Sequence, residues 1–496
     1  MELHLPSILL LVSCILFLFV RKAKRPAAGS KLPPGPRKLP IIGNIHNVVG
    51  SLPQKVLRDL AQKYGPLMHL RLGQLSVVVV SSPDIAKEML KTHDLNFSQR
   101  PDMICTKIIS YGYADLVFAP YGDLWRQLRK ICILEILSAK RVQSFDKIRE
   151  EETTNLVQFI SSIAGSPINL SKKLFILSID IIARCIFGDR CDDQDGFKMT
   201  LEENIKFLGV FNVADLFPSS RWICVLSRTE SKFQKTHRKL DKIVSNIIEA
   251  HQEKMRTRKD EGRDQVEYLV DVLLRLQKHG DLQFELTLDN IKGVIFDMFA
   301  AGTETSSTTM IWAMSHLMKN PRVMQKAQQE VRSILRGKDT ITEDDITQMN
   351  YLKLVIRETL RLCPPLPFLV PRESIDDCQI CGYEIPKKSR VLVNIWAIGR
   401  DPKYWKNPND FEPERFLGSS MDFRGQNFEL IPFGAGRRGC PGMLFGLVTI
   451  ERALASLLYH FDWKLPDGTK DLDMSEASGI TMAKKSNLRV IATPCK

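Results

Sequence analysis

The chain has no cysteine framework. Its eleven cysteines are odd in number and follow no regular spacing, which argues against a disulfide-stapled secreted fold and for free thiols in a reducing compartment. Cys378 and Cys381 form a single C-x-x-C with no second pair nearby. Structural zinc takes four ligands, so two cysteines on a strand or turn is the favoured reading over a metal site. The 496 residues hold no internal repeat and no long flexible linker in the interior, which excludes a repeat array and favours one large globule. Nor is there a basic patch interleaved with aromatics. The formal net charge is +13, from 70 Lys and Arg against 57 Asp and Glu, but the cations are spread along helices, so nucleic acid is not an expected partner. Such a balance fits a face that docks an acidic protein or lies near anionic lipid. With 44% hydrophobic and 26% charged residues, the chain has ample material for a core and is not disordered.

The front end lacks the order of a cleaved leader. Residues 5–20 are almost unbroken apolar, and Leu3 extends the run; Arg21, Lys22, Lys24 and Arg25 follow at once. A leader puts its positive charges first; here Glu2 stands in front and the cations behind, so the positive-inside rule keeps everything after residue 20 in the cytosol. The run is near the lower limit for a span. Lys31-Leu32-Pro33-Pro34-Gly35-Pro36 is a stiff connector. The expected organisation is a transmembrane signal-anchor over 1–20, a basic and proline-rich linker over 21–40, and a catalytic domain over 41–496. The sequons at Asn96 and Asn169 should then stay bare.

Elsewhere helical periodicity dominates. Residues 67–72 and 76–81 read as a hairpin around Gly73-Gln74. The charged stretch 251–264 reads as a surface loop or helix end. Thr287 opens a long helix that Asn320-Pro321 stops; at about 30 residues it would span roughly 45 Å. A further helix covers 351–362 and ends at Cys363-Pro364-Pro365. Residues 441–460 are apolar nearly all round, the mark of a buried helix. Short strands are expected around Ile385, 391–394 and 488–492. The fold class is mainly α with small β-sheets (α+β).

The most informative segment is Pro432-Phe433-Gly434-Ala435-Gly436-Arg437-Arg438-Gly439-Cys440-Pro441-Gly442. Glycines let a backbone turn sharply and press against a flat ligand. Pro441 suits a first helical position, which would place Cys440 at a helix amino end, where free N–H groups and the dipole favour a thiolate. The same glycines spell G-x-G-x-x-G, as in a dinucleotide-binding turn. That reading needs an acid about 20 residues on and a strand–helix–strand unit, yet fewer than 60 residues remain, Pro432 interrupts the strand and two arginines fill the turn. A thiolate ligand for iron fits better.

Three further constellations accompany it. Glu358 and Arg361 are three apart on one helix face, and Phe411-Glu412-Pro413-Glu414-Arg415-Phe416 follows downstream. Ala301-Gly302-Thr303-Glu304-Thr305 lies mid-helix, where Thr305 can hydrogen-bond back to the Ala301 carbonyl and bend the helix, and where Gly302 leaves room for a small ligand. Trp125 and Arg129, four apart, face one way. Arg372 stands in Val370-Pro371-Arg372-Glu373.

With the cysteine loop, these motifs resemble the cytochrome P450 haem-thiolate monooxygenases, along the whole chain and in that family's order, and are most similar to plant A-type terpenoid hydroxylases. The resemblance implies the single-domain fold of that family behind an N-terminal membrane anchor helix. It implies haem b (iron protoporphyrin IX) with Cys440 as axial iron ligand. Arg438, Trp125, Arg129, Arg372 and Phe433 would hold that cofactor, and Thr305 with Glu304 would relay protons. Glu358, Arg361 and Arg415 would form a structural network behind the haem. Position suggests Ala301, Asp297, Leu366, Val370 and Ile480 as substrate-pocket residues; Asp297 could hold a substrate hydroxyl, though a capped or exposed acid is slightly favoured. The implied activity is insertion of one oxygen atom from O2 into a C–H bond of an apolar small molecule, a terpenoid foremost. Electrons would come from NADPH through a membrane-bound NADPH–cytochrome P450 reductase, and the enzyme would be single-pass in the endoplasmic reticulum membrane with its lipid. The alternatives are a phenolic or alkaloid substrate, or a haem-thiolate isomerase or dehydratase needing no reductase. A non-enzymatic haem-binding membrane protein would leave the Thr305 relay unexplained.

Overall fold

Two mainly apolar runs, the second rich in valine, start the first sheet. Leu67–Leu72 (β1) and Leu75–Val80 (β2) pair antiparallel as the expected hairpin. The runs are apolar rather than alternating because both faces are covered, which suits Val and Leu at successive positions. Arg390–Val393 (β7) extends the sheet parallel to β2 and Arg372–Glu373 (β4) completes it, in the order β1-β2-β7-β4. Pro167–Asn169 (β3), Arg489–Pro494 (β9) and Phe461–Lys464 (β8) form a second sheet in the order β3-β9-β8. Cys378–Ile380 (β5) and Tyr383–Ile385 (β6) make a separate hairpin. Cys378 lies on that hairpin and Cys381 on its turn, with φ 48°. Among the described residues no group of His, Cys, Asp and Glu could hold a metal ion.

The computed structural model describes residues 31–188, 213–219, 229–257, 267–279, 284–338, 340–468 and 471–495. The expected anchor over 1–20 lies outside the described residues. Part of the expected linker, from residue 31 to 40, packs on β1: the His69 N–H donates to Pro34 O at 2.9 Å, and a Cβ on Gly35 would stand 2.3 Å from His69 O.

The helices used below are Asp123–Ile131 (α1), Asp146–Ser162 (α2), Leu170–Phe187 (α3), Thr229–Thr257 (α4), Leu269–His279 (α5), Leu288–Lys319 (α6), Pro321–Ile334 (α7), Asn350–Leu362 (α8) and Met443–His460 (α9). Thr287 caps α6 in a reciprocal box with Asn290, each side chain accepting the other's backbone N–H. The helix ends where Pro321 starts α7, and its 32 residues span about 48 Å. It runs through the middle of the main core, with α3 against one side and α9 against another. Trp312, 1% exposed, fixes its far end by donating its indole N–H to Met482 O at 2.7 Å. Burial on this scale, at about 1.5–3 kcal/mol per large apolar side chain, is what holds the helices together.

Two boundaries differ from expectation. α4 continues through His251, which is buried with Nδ1 2.8 Å from Asp271 on α5; a buried partner extends a helix that composition alone ends early. Residues 258–266 lie outside the described residues. α9 begins at Met443 rather than at Pro441, with Gly442 before it. Among the described residues α9 is the one helix long and apolar enough to cross a membrane, and more than half of it is buried in the core.

Candidate functional site

The cysteine loop is shaped by backbone close approach. Gly434 and Gly436 both have φ 69°, a left-handed conformation that favours glycine. At Gly436 a Cβ would stand 2.3 Å from Leu90 O and 2.5 Å from Asp94 Oδ1. The loop therefore closes directly onto Asp94, whose carboxylate accepts from the Arg437 N–H at 3.0 Å and pairs with Arg372 at 3.2 Å and Arg437 at 2.9 Å. The Cys440 N–H donates back to Phe433 O at 2.8 Å.

Because α9 starts at Met443, Cys440 is not the first residue before a helix; Pro441 and Gly442 intervene. The N–H that reaches its sulfur is that of Gly442. Burial pushes the thiol above its usual value, while this N–H and the Arg129 guanidinium pull it back. Cys440 keeps accessible surface because it forms part of the wall of an internal cavity, although protein surrounds it.

That cavity, about 1580 Å³ counting its mouth, also has Phe433, Thr305, Ala301, Leu366 and Val370 on its wall. Four guanidinium groups reach it. Arg438 donates to Ser98 O at 2.9 Å and Ala119 O at 2.6 Å and lies 4.3 Å from the Trp125 ring centroid. Arg129 donates to Gly439 O at 2.7 Å and lies 5.6 Å from the same ring. Arg372 donates to Ala435 O at 2.7 Å and pairs with Asp94. Arg100 donates to Val370 O and Pro371 O, both at 2.8 Å, and to Val117 O at 2.9 Å. Burial pulls all four below the ordinary arginine value, Arg438 to about 9 and Arg372 to about 10. For Arg100 and Arg438, repulsion from neighbouring arginines adds to the effect. Trp125 spends its indole N–H on Leu116 O at 3.1 Å, so what it offers the arginines is its ring. Arg100 carries no spacing signal in the sequence; only the folded chain brings it to the other three.

On α6, the Thr305 hydroxyl donates to the Ala301 carbonyl at 2.6 Å, as its spacing suggests. A Cβ on Gly302 would meet Ile182 Cδ1 at 2.6 Å, so this glycine serves the close crossing of α6 and α3 as well as the cavity. Glu304 is turned away: its carboxylate accepts from the Thr481 hydroxyl at 3.0 Å, and it is not part of the cavity wall. Ile480, beside Thr481, packs into the apolar core and is likewise absent from that wall.

Asp297 is on the cavity wall but is not an exposed acid. It is 4% exposed, and its Oδ2 accepts from the N–H groups of Leu116 at 2.8 Å and Val117 at 3.1 Å. The 114–119 segment folds over the helix there, so this oxygen serves the backbone.

Behind the loop, Glu358 receives Arg361 on both oxygens at 2.7 and 2.8 Å and Arg415 at 2.9 Å. Glu358 and Arg361 are buried. The two arginines also bind carbonyls between residues 406 and 410. Removing one member strands a buried charge, at a cost of about 3–5 kcal/mol.

The family profile described as Cytochrome P450 matches residues 33–490. The chain is 52% identical over 491 residues to a premnaspirodiene oxygenase of Hyoscyamus muticus, covering 98% of each chain. It is 51% identical over 495 residues to a melianol synthase of Ailanthus altissima, covering 99% of this chain and 96% of that one. A zebra fish cytochrome P450 solved with progesterone superposes with TM-score 0.77 at 24% identity, over 90% of this chain and all of that one.

Proposed function

The chain belongs to the cytochrome P450 family and is a monooxygenase; from that premise we propose that it hydroxylates an apolar terpenoid, using haem b and electrons from NADPH delivered by a cytochrome P450 reductase. One observation carries the reading: a thiol, four guanidinium groups and a helix hydroxyl meet in a single largely apolar cavity.

The residues suit the cofactor. Of the four arginines, only Arg372 has a carboxylate within ion-pair distance among the described residues, so the cluster calls for a ligand that brings negative charge. Arg100, Arg129, Arg372 and Arg438 would hold the carboxylates of the porphyrin, Cys440 would ligate its iron, and Phe433 would pack against its face. When bound, a haem-thiolate centre supplies the activation of O2 for insertion into C–H bonds. The chain's own residues do the rest. Thr305 engages the Ala301 carbonyl and keeps its oxygen at the cavity, where it can hold a proton and pass it on. Glu304, whose carboxylate accepts from Thr481, would serve the relay beside Thr305. Glu358, Arg361 and Arg415 fix the segment behind the cysteine loop.

The walls near Ala301, Leu366 and Val370 are apolar and exclude water, which orients a hydrocarbon skeleton by shape. The likeness to a premnaspirodiene oxygenase supports such a substrate, since a diene brings no charge to pair. The outward face of α1, with Arg126 and Lys130 exposed next to the cysteine loop, suits an acidic electron donor. Residues 1–20 would anchor the enzyme in the endoplasmic reticulum with the catalytic domain in the cytosol. Membranes containing the enzyme and reductase, incubated with a panel of terpenoids, should give oxygenated products that require both NADPH and O2. Turnover without NADPH would favour an isomerase or dehydratase, and turnover confined to phenolic or alkaloid substrates would overturn the terpenoid assignment.

A further inference from the structure

Two acids meet at the edge of the cavity, where charge is expensive. Asp115 is fully buried and Asp297 is 4% exposed. Both carboxyl groups engage adjacent N–H groups of one short segment, Asp297 those of Leu116 and Val117 and Asp115 that of Phe118, and two neighbouring buried acids with no cation partner favour holding one proton between them. No lysine or arginine forms an ion pair with either acid among the described residues. The charged or titratable groups facing them are Arg100 and Arg438 toward Asp115, and the thiol of Cys132 toward Asp297.

What the pair holds is a strap. Asp297 accepts the N–H groups of Leu116 and Val117, and Asp115 accepts that of Phe118 at 3.1 Å. The carbonyls of the same stretch point the other way. Leu116 O receives the Trp125 indole at 3.1 Å, Val117 O receives Arg100 at 2.9 Å, and Ala119 O receives Arg438 at 2.6 Å. Asn290 pins the start of the strap by donating to Ala114 O at 2.9 Å. Successive peptide units are therefore gripped by acids on one side and by the cavity's cations on the other.

We propose that Asp115 and Asp297 act as one positioning pair: sharing a single proton, they fix the 114–119 strap to α6 and thereby set Arg100 and Arg438, and loss of that proton loosens the strap and the cofactor behind it. The direction follows from burial, which pushes Asp115 up to about 7 and Asp297 well above the ordinary aspartate range. The folded chain then binds more protons than the unfolded one above about pH 4, so the strap weakens as pH rises through this window and stops changing once the pair is fully ionised.

The inference rests on the cavity holding haem, so two readouts separate its failure from that of the cofactor reading. In the haem-loaded full chain, hydrogen-exchange protection at the amides of residues 116–118 and the rate of haem transfer to excess apomyoglobin are followed from pH 6 to 9.5. On going to the alkaline end, protection should fall and haem loss should rise, each by about tenfold or more. Asp297→Asn replaces the shared proton with an amide donor and should flatten both profiles at the acid-side level; Asp115→Asn should do the same if the first variant folds poorly. Asp297→Leu should lose protection and haem quickly at every pH. A wild-type profile flat in pH, an asparagine variant that keeps the wild-type profile, or a leucine variant matching wild type would each overturn the pair's role. A chain that takes up no haem would overturn the cofactor reading, while amide protection would still decide the pair.

Discussion

Glu358 and Thr305 show how differently two polar side chains can be tested. Glu358 serves two guanidinium groups at once, both oxygens occupied. Glu358→Gln should lower the stability of the haem-loaded protein by about 3–5 kcal/mol, measured by denaturant unfolding, because it leaves the buried Arg361 without its counter-charge and Arg415 with Glu412 alone. A change below about 1 kcal/mol would mean the network is replaceable. Thr305 touches only the Ala301 carbonyl and the cavity, so Thr305→Ala should leave folding intact. Product per NADPH should then fall by about tenfold or more, with peroxide rising in step. Unchanged coupling would remove Thr305 from proton delivery. The residues legible in the sequence are those with a local signature: a three-residue Glu–Arg spacing, a hydroxyl four after a carbonyl, a cysteine among glycines. Arg100 and the Asp115–Asp297 pair were not legible as partners, since Arg100 reaches Val370 across 270 residues and Asp297 reaches Leu116 across 181, and no local spacing encodes such contacts.

Among elements, the cysteine loop offers the sharpest contrast. Gly436 combines φ 69° with a Cβ that would collide with Leu90 O, whereas a Cβ on Gly434 would find nothing nearer than 3.8 Å. Gly436→Ala should therefore abolish haem loading, read as absorbance per protein, while Gly434→Ala carries only the backbone strain of about 1–2 kcal/mol. Equal loading of the two variants would show that contact with Leu90 and Asp94 does not shape the loop. The α6 boundaries were readable to the residue because Thr287 and Pro321 are chemical stops. The start of α9 was not, because Pro441 is compatible with a helix start and with the turn it actually makes before Gly442. At Gly302, the sequence suggested space for a ligand; the crossing of α3, with Ile182 at 2.6 Å from the missing Cβ, adds a packing reason that only tertiary structure reveals.

Across the whole molecule, α6 joins the functional groups to the core: one end is capped beside Asp115, the middle borders the cavity, and the far end is fixed through Trp312. The mainly helical fold and its small sheets were expected from periodicity, and the comparisons place it in the P450 family. Topology relative to the membrane is a separate question. Asn96 already uses its amide on Asp376 and Asn169 caps α3. Expression in a eukaryotic cell should leave both unmodified, with no mass shift on endoglycosidase treatment; a shift would put the domain in the lumen.

The central claim is that the Cys440 sulfur ligates haem iron in this cavity, and the ferrous–carbonyl difference spectrum of purified protein tests it most directly. Wild type should give the red-shifted band of thiolate ligation, and Cys440→Ser should lose it. Persistence of that band in the serine variant, or a wild-type band at the unshifted position of a histidine-ligated haem, would contradict the account.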